Sequence, residues 1–165
     1  MQHFTKLLIL TILAGNLAHP SQAEETGTLQ VIIDDKSYDM RLVPGQSDWS
    51  GAGFVSVNMY AVPIDEELRK SVRNFNLSFE IVSGEAGNAE AMVTTVDDSG
   101  AARFRGTAED GDWIIALDSM ENQTDELVLE GQFDGMVGHT ENFRDIDFGN
   151  PMTLEGSFTV TLDKL

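Results

Sequence analysis

The sequence predicts a mainly β protein, an antiparallel β-sandwich of about nine strands with one short helix. Three observations carry this reading. Apolar residues recur at every second position over most of the chain, the period of a strand with one dry and one wet face. Clusters of Asp, Gly, Pro and Ser separate these runs at short intervals. No cysteine occurs among the 165 residues, so a core rather than cross-links must hold the fold. Alternation also argues for antiparallel pairing, because strands buried on both faces read as continuous apolar runs. A closed β-barrel is the alternative. The sandwich is preferred because strand lengths are uneven and a helix interrupts their order.

The N-terminus reads as a cleaved secretory signal over residues 1–23. Lys6 precedes an apolar run from Leu7 to Ala18, and Ser21 and Ala23 put small residues at −3 and −1 before Glu24. Thr11, Gly15 and Asn16 interrupt the run, and it is too short to span a bilayer. No cysteine is present to carry a lipid. Residues 24–165 are therefore expected to form a single β domain in the periplasm or outside the cell, with no membrane span and no lipid anchor.

The strands follow in order. Residues 28–34 and the alternating Tyr38, Met40 and Leu42 make a first hairpin about an Asp35-Lys36 turn. Pro44-Gly45 ends it, and a polar loop runs to Ser50. Residues 53–61 form a third strand. A helix is expected next. Pro63 suits a first turn, Asp65, Glu66 and Glu67 suit the positive dipole end, Arg69, Lys70 and Arg73 suit the negative end, and Ile64, Leu68 and Val72 form one stripe. Phe75, Leu77, Phe79 and Ile81 alternate through the clearest central strand. Weaker strands cover 90–96 and 101–107. Asp110-Gly111 signals a type I′ hairpin, with Trp113, Ile115 and Leu117 continuing on the far side and Trp113 expected in the core. A polar loop spans 118–125, and Leu127, Leu129 and Phe133 mark a further strand. Residues 134–151 read as the longest irregular stretch, and long loops are often functional. Met152 to Leu162 alternates without error. Leu129-Glu130-Gly131-Gln132-Phe133 is echoed by Leu154-Glu155-Gly156-Ser157-Phe158. The reading preferred over an internal duplication is two strands that each need glycine at a close contact.

Charge excludes several functions. The chain has 28 acids against 10 cations, and Lys6 would leave with the signal. Nucleic acid and anionic membrane surfaces are repelled. Catalysis has little to work with. His3 and His19 lie in or next to the apolar leader, His139 stands alone, and no serine occupies a Gly-x-Ser-x-Gly turn. With so many acids, no carboxylate pair can be singled out for glycan hydrolysis, and a carboxylate-based glycan-active enzyme is the remotest reading.

The favoured expectation is a non-catalytic binding or interaction module for a protein, small-molecule or glycan partner. Trp49, His139, Phe143 and Phe148, in or beside loops, are its candidate contact residues. The alternative is a calcium-stabilised structural or adhesive module. Asp145, Asp147 and Asn150 offer oxygen ligands, although glycine falls at 149, one position early for an EF-hand, and no glutamate closes the loop.

N-terminal sequencing of the product recovered from the periplasm or medium of an expressing bacterium is expected to begin at Glu24. Retention of residues 1–23 would contradict the signal assignment.

Overall fold

The computed structural model describes residues 27–165, so the expected signal and the residues just after it lie outside the described part. The described chain is almost entirely β. Ten strands follow one another: β1 Gly27–Ile33, β2 Lys36–Leu42, β3 Asp48–Ser50, β4 Val55–Pro63, β5 Val72–Val82, β6 Glu85–Asp97, β7 Gly100–Thr107, β8 Ile114–Asn122, β9 Glu126–His139 and β10 Asp147–Lys164. They form one sheet in the order β2-β1-β10-β3-β4-β5-β6-β7-β9-β8, with further ladders β2–β4 and β10–β9. Passing from β10 through β1, β2, β4, β5, β6, β7 and β9 along antiparallel ladders returns to β10. The sheet thus wraps one core, and its opposite walls touch across it. The two-walled core of a sandwich and the continuous bonding of a closed sheet occur together.

The alternation seen in the sequence is the burial pattern of the core. Leu29, Val31 and Ile33 face in with Tyr38, Met40 and Leu42, and Phe75, Leu77, Phe79 and Ile81 face in from β5. The first turn is Asp34-Asp35, one residue earlier than expected, with φ of 45° and 67°. A type I′ turn needs two left-handed residues, and Asp tolerates that region better than Lys. Asp34 Oδ1 also accepts the Thr153 amide at 3.0 Å, pinning the turn to β10.

The expected helix after Pro63 is absent. Pro63 ends β4, a single 3-10 turn covers Leu68–Lys70, and Val72 already opens β5. Of the proposed stripe, Val72 is buried, Leu68 is half-buried and Ile64 is 57% exposed. β4 and β5 pair directly from Ala61↔Phe75 to Val55↔Ile81, so the connection only has to reverse the chain. A short helix with an unfavourable nucleus does not compete with extending that ladder. Asp65 Oδ1 accepts the Glu67 amide at 2.8 Å, and Arg69 Nε donates to the Pro63 carbonyl at 2.6 Å, closing the turn.

Asp110-Gly111 is not a type I′ hairpin. β7 and β8 do not pair with each other; both pair with β9. The Gly111 amide donates to the Thr107 carbonyl at 2.7 Å, and its own carbonyl accepts the Met136 amide at 2.8 Å. This detour seats Trp113, whose ring lies where a Cβ on Gly106, Gly111 or Gly135 would fall. Its Nε1 donates to the Met136 carbonyl at 3.0 Å.

The echoed segments pair with each other. In the β9–β10 register Gly131 faces Phe158, Gln132 faces Ser157 and Phe133 faces Gly156. Each phenylalanine covers the other strand's glycine: a Cβ on Gly131 would meet the Phe158 ring and the Ala116 carbonyl, and one on Gly156 would meet the Phe133 ring and the Gln30 carbonyl. The repeat is therefore a reciprocal packing device, in which an aromatic ring shields a bare glycine.

Gly156→Ala is expected to destabilise the protein by about 1–3 kcal/mol in urea unfolding, the range for overpacking a filled site. With Phe133→Leu already present the added loss should shrink, because the ring end is gone. Equal losses in both backgrounds would assign the whole effect to the Gln30 carbonyl.

Candidate functional site

The candidate contact residues separate into two groups. Trp49 is not in a loop. It is the central residue of β3, 2% exposed, in the ladder with Val57 and with the far end of β10 at Lys164. Its polar loop context hid a three-residue strand that fills the gap between β4 and the end of β10. Lys164 Nζ lies 5.0 Å from its ring centroid. In the β9–β10 ladder, Glu126↔Asp163 marks this end and His139↔Asp147 the other. Trp49 therefore stands away from the remaining candidates.

The remaining candidates lie at or next to that other end. β9 runs on to His139 and β10 starts at Asp147, so the irregular stretch shrinks from 134–151 to residues 140–146. Gly135 and Gly138 had made the end of β9 look like loop. They are strand positions where neighbours leave no room: Gly135 lies against Trp113, and Gly138 against Ile146 and the Asp147 backbone. His139 is exposed and faces Phe104 edge-on, with ring centroids 5.6 Å apart. Phe148 is half-buried in β10.

The loop is held from beneath and within. The buried Thr140 donates its amide to the Arg103 carbonyl at 2.9 Å, and its Oγ1 accepts the Phe143 amide at 3.0 Å. Asn142 Oδ1 accepts the amides of Arg144 and Asp145 at 2.9 Å each, and its Nδ2 donates to Asp145 Oδ2 at 2.7 Å. Phe143 is left at the crest with φ of 63° and 42% exposure.

Two arginines on β7 brace it. Arg105 Nε and Nη2 grip both carboxylate oxygens of Glu90 at 2.8 Å, and Nη1 donates to the Phe143 carbonyl. The hydrogen bond to Glu90 raises the guanidinium pKa above its ordinary value, so Arg105 stays charged at any working pH. Arg103 places its guanidinium 5.0 Å from the Phe143 ring centroid. Neither arginine was among the sequence candidates. Their signal was present in a chain so poor in cations: two arginines at alternate positions of one strand share a face.

The calcium candidates take part in local turns. Asp145 is engaged by Asn142, and Asp147 Oδ1 accepts the Gly149 amide at 2.8 Å; Asn150 is exposed in β10. This is the hydrogen bonding by which Asp and Asn shape turns. Among the described residues no three His, Cys, Asp or Glu side chains gather at a spacing that could hold a metal. No helix of the described residues is long and apolar enough to cross a membrane. Surface grooves of about 410 and 910 Å³ lie elsewhere, and no residue of 140–146 lines either. The loop therefore presents a braced aromatic ring beside cationic groups rather than a walled pocket.

Comparison of the chain with family models, with curated proteins and with solved structures gives no match in any of the three.

Arg105→Lys keeps the charge but loses the planar fork. It is expected to lower stability by about 1–2 kcal/mol and to speed hydrogen exchange at the amides of 143–145. Unchanged exchange would show that the loop holds its shape without Arg105.

Proposed function

We propose that this protein is a non-catalytic binding module of the periplasm or cell exterior that engages a partner macromolecule through residues 140–146, with Phe143 as the anchor. One observation carries the reading: Phe143 is held in the left-handed region while much of its ring faces water. A non-glycine residue there costs about 1–2 kcal/mol, and glycine would remove the strain. The Arg103 contact returns about 0.5–1 kcal/mol at an exposed site, which at most offsets the strain. Stability alone thus gives no reason to keep a phenylalanine at this position. Binding does, because aromatic rings and arginines are enriched at the centres of protein interfaces. A pre-braced loop also reduces the ordering cost of association. A protein surface is the preferred partner over a small molecule, because neither of the two grooves described above includes a residue of the loop.

The discriminating substitution is Phe143→Gly. It should leave the melting temperature unchanged or raise it by a few degrees, since about 1 kcal/mol shifts a domain of this size by roughly 4 °C. Capture of a defined partner from periplasmic extract, identified by mass spectrometry, should be lost in Phe143→Gly and kept in Phe143→Tyr. A marked drop in melting temperature would make the ring a structural element. Intact capture by Phe143→Gly would remove it from the interface.

A further inference from the structure

We infer that β8 is a docking edge for an extended basic segment of another protein, which would add to the sheet as one more strand. Along Ile114–Asn122, β8 pairs with β9 alone. The neighbour on its other side, β6, bonds to β5 and, from Glu90 onward, to β7. The outer edge of β8 therefore offers unpaired backbone N–H and C=O groups, the template that strand addition uses.

Side chains point the same way. Met120 pairs with Leu129 and so shares its face. Leu129 is fully buried, yet Met120 is 40% exposed, and no strand pairs with the outer edge of β8 beside it. A register shift between Leu117 and Ser119 separates the core-packed half of β8 from Ser119–Asn122, where every residue is exposed. An added strand would pair along this second half and place an apolar side chain over Met120.

Charge selects the occupant. Residues 114–134 carry Asp118, Glu121, Asp125, Glu126, Glu130 and Asp134, with no lysine or arginine. A second copy would bring the same acids edge to edge, where like charges oppose pairing. The complementary occupant alternates Lys or Arg on its outer face, toward Glu121 and Glu130, with apolar residues on its inner face. This edge is separate from the 140–146 loop, which follows the opposite end of β9.

The probe is a synthetic capped peptide of alternating lysine and valine, titrated onto the exported chain by fluorescence anisotropy and mapped by hydrogen exchange. Binding should slow exchange at the β8 amides and weaken with salt. It should vanish when alternate peptide amides are N-methylated on the pairing edge, and persist in Phe143→Gly. Glu121→Gln with Glu130→Gln should weaken it about ten-fold at low salt, as expected for two exposed charge pairs. Absence of binding, binding indifferent to N-methylation, or protection mapped away from β8 would each overturn the proposal. So would sedimentation showing self-association through β8, which would make a second copy the occupant.

Discussion

The reciprocal seating of Phe133 over Gly156 and of Phe158 over Gly131 holds β9 and β10 in one register, and the rest of the sheet depends on it. A slip of one residue would turn Leu127, Leu129, Phe133, Leu154, Phe158 and Val160 toward water. Each such side chain gains about 1.5–3 kcal/mol on burial, so no one-residue alternative competes. The same two rings reach across the core. Phe133 stacks on Phe75 at 5.5 Å and on Trp113 at 6.1 Å, and Phe158 meets Phe79 at 6.1 Å. Each aromatic pair adds about 0.5–1.5 kcal/mol beyond its area. One pair of glycines thus admits the rings that tie β9 and β10 to β5 on the opposite wall.

That register also positions the loop. Trp113 rests on Gly106, Gly111 and Gly135 and bonds to the Met136 carbonyl, which keeps β9 extended to His139. The ladder there aligns Phe104 with His139 and Arg105 with Gly138. Arg103 and Arg105 consequently share the face from which they meet Phe143. The chain detour that seats Trp113 has a second effect. It ends the β6–β7 ladder and starts β8 farther along the same edge of β9, where β6 no longer pairs. The braced loop and the open edge are two consequences of one packing requirement.

How much of this could be read from the sequence varies with the physics of each element. β5 and β10 were legible because their alternation is clean and their faces are strictly dry or wet. The Leu-Glu-Gly-x-Phe echo was legible as a close contact; that the two copies face each other needed the register. The end of β9 was hidden because Gly135 and Gly138 read as loop residues, and only the bulk of Trp113 and Ile146 explains them. Trp49 was misplaced for the opposite reason: three residues between polar neighbours give no period to detect. The helix after Pro63 had every local signal, but local preference yields when the flanking strands already pair. Phe143 and His139 stand out in the sequence by residue type and position, as candidates. The arginine support of Phe143 was missed because it comes from a strand 38 residues away in sequence from the carbonyl it binds.

The acidity of the chain acquires a direction once β9 is traced. Arg103, Arg105 and Arg144 gather beneath and within the loop after His139, whereas no cation occurs from Gly106 to Phe143. From Leu129, beside Met120, to His139 is ten steps along one strand, about 33 Å at the usual rise. Screening at physiological ionic strength acts over about 8 Å, so the two ends of β9 present separate local fields rather than one average. An acidic rim on a partner could meet the loop arginines without sensing the acids on β8, and a basic segment could meet β8 without sensing the arginines. Like charges oppose the pairing of two copies at the open edge, while Arg103 and Arg105 are the cations that brace the exposed ring.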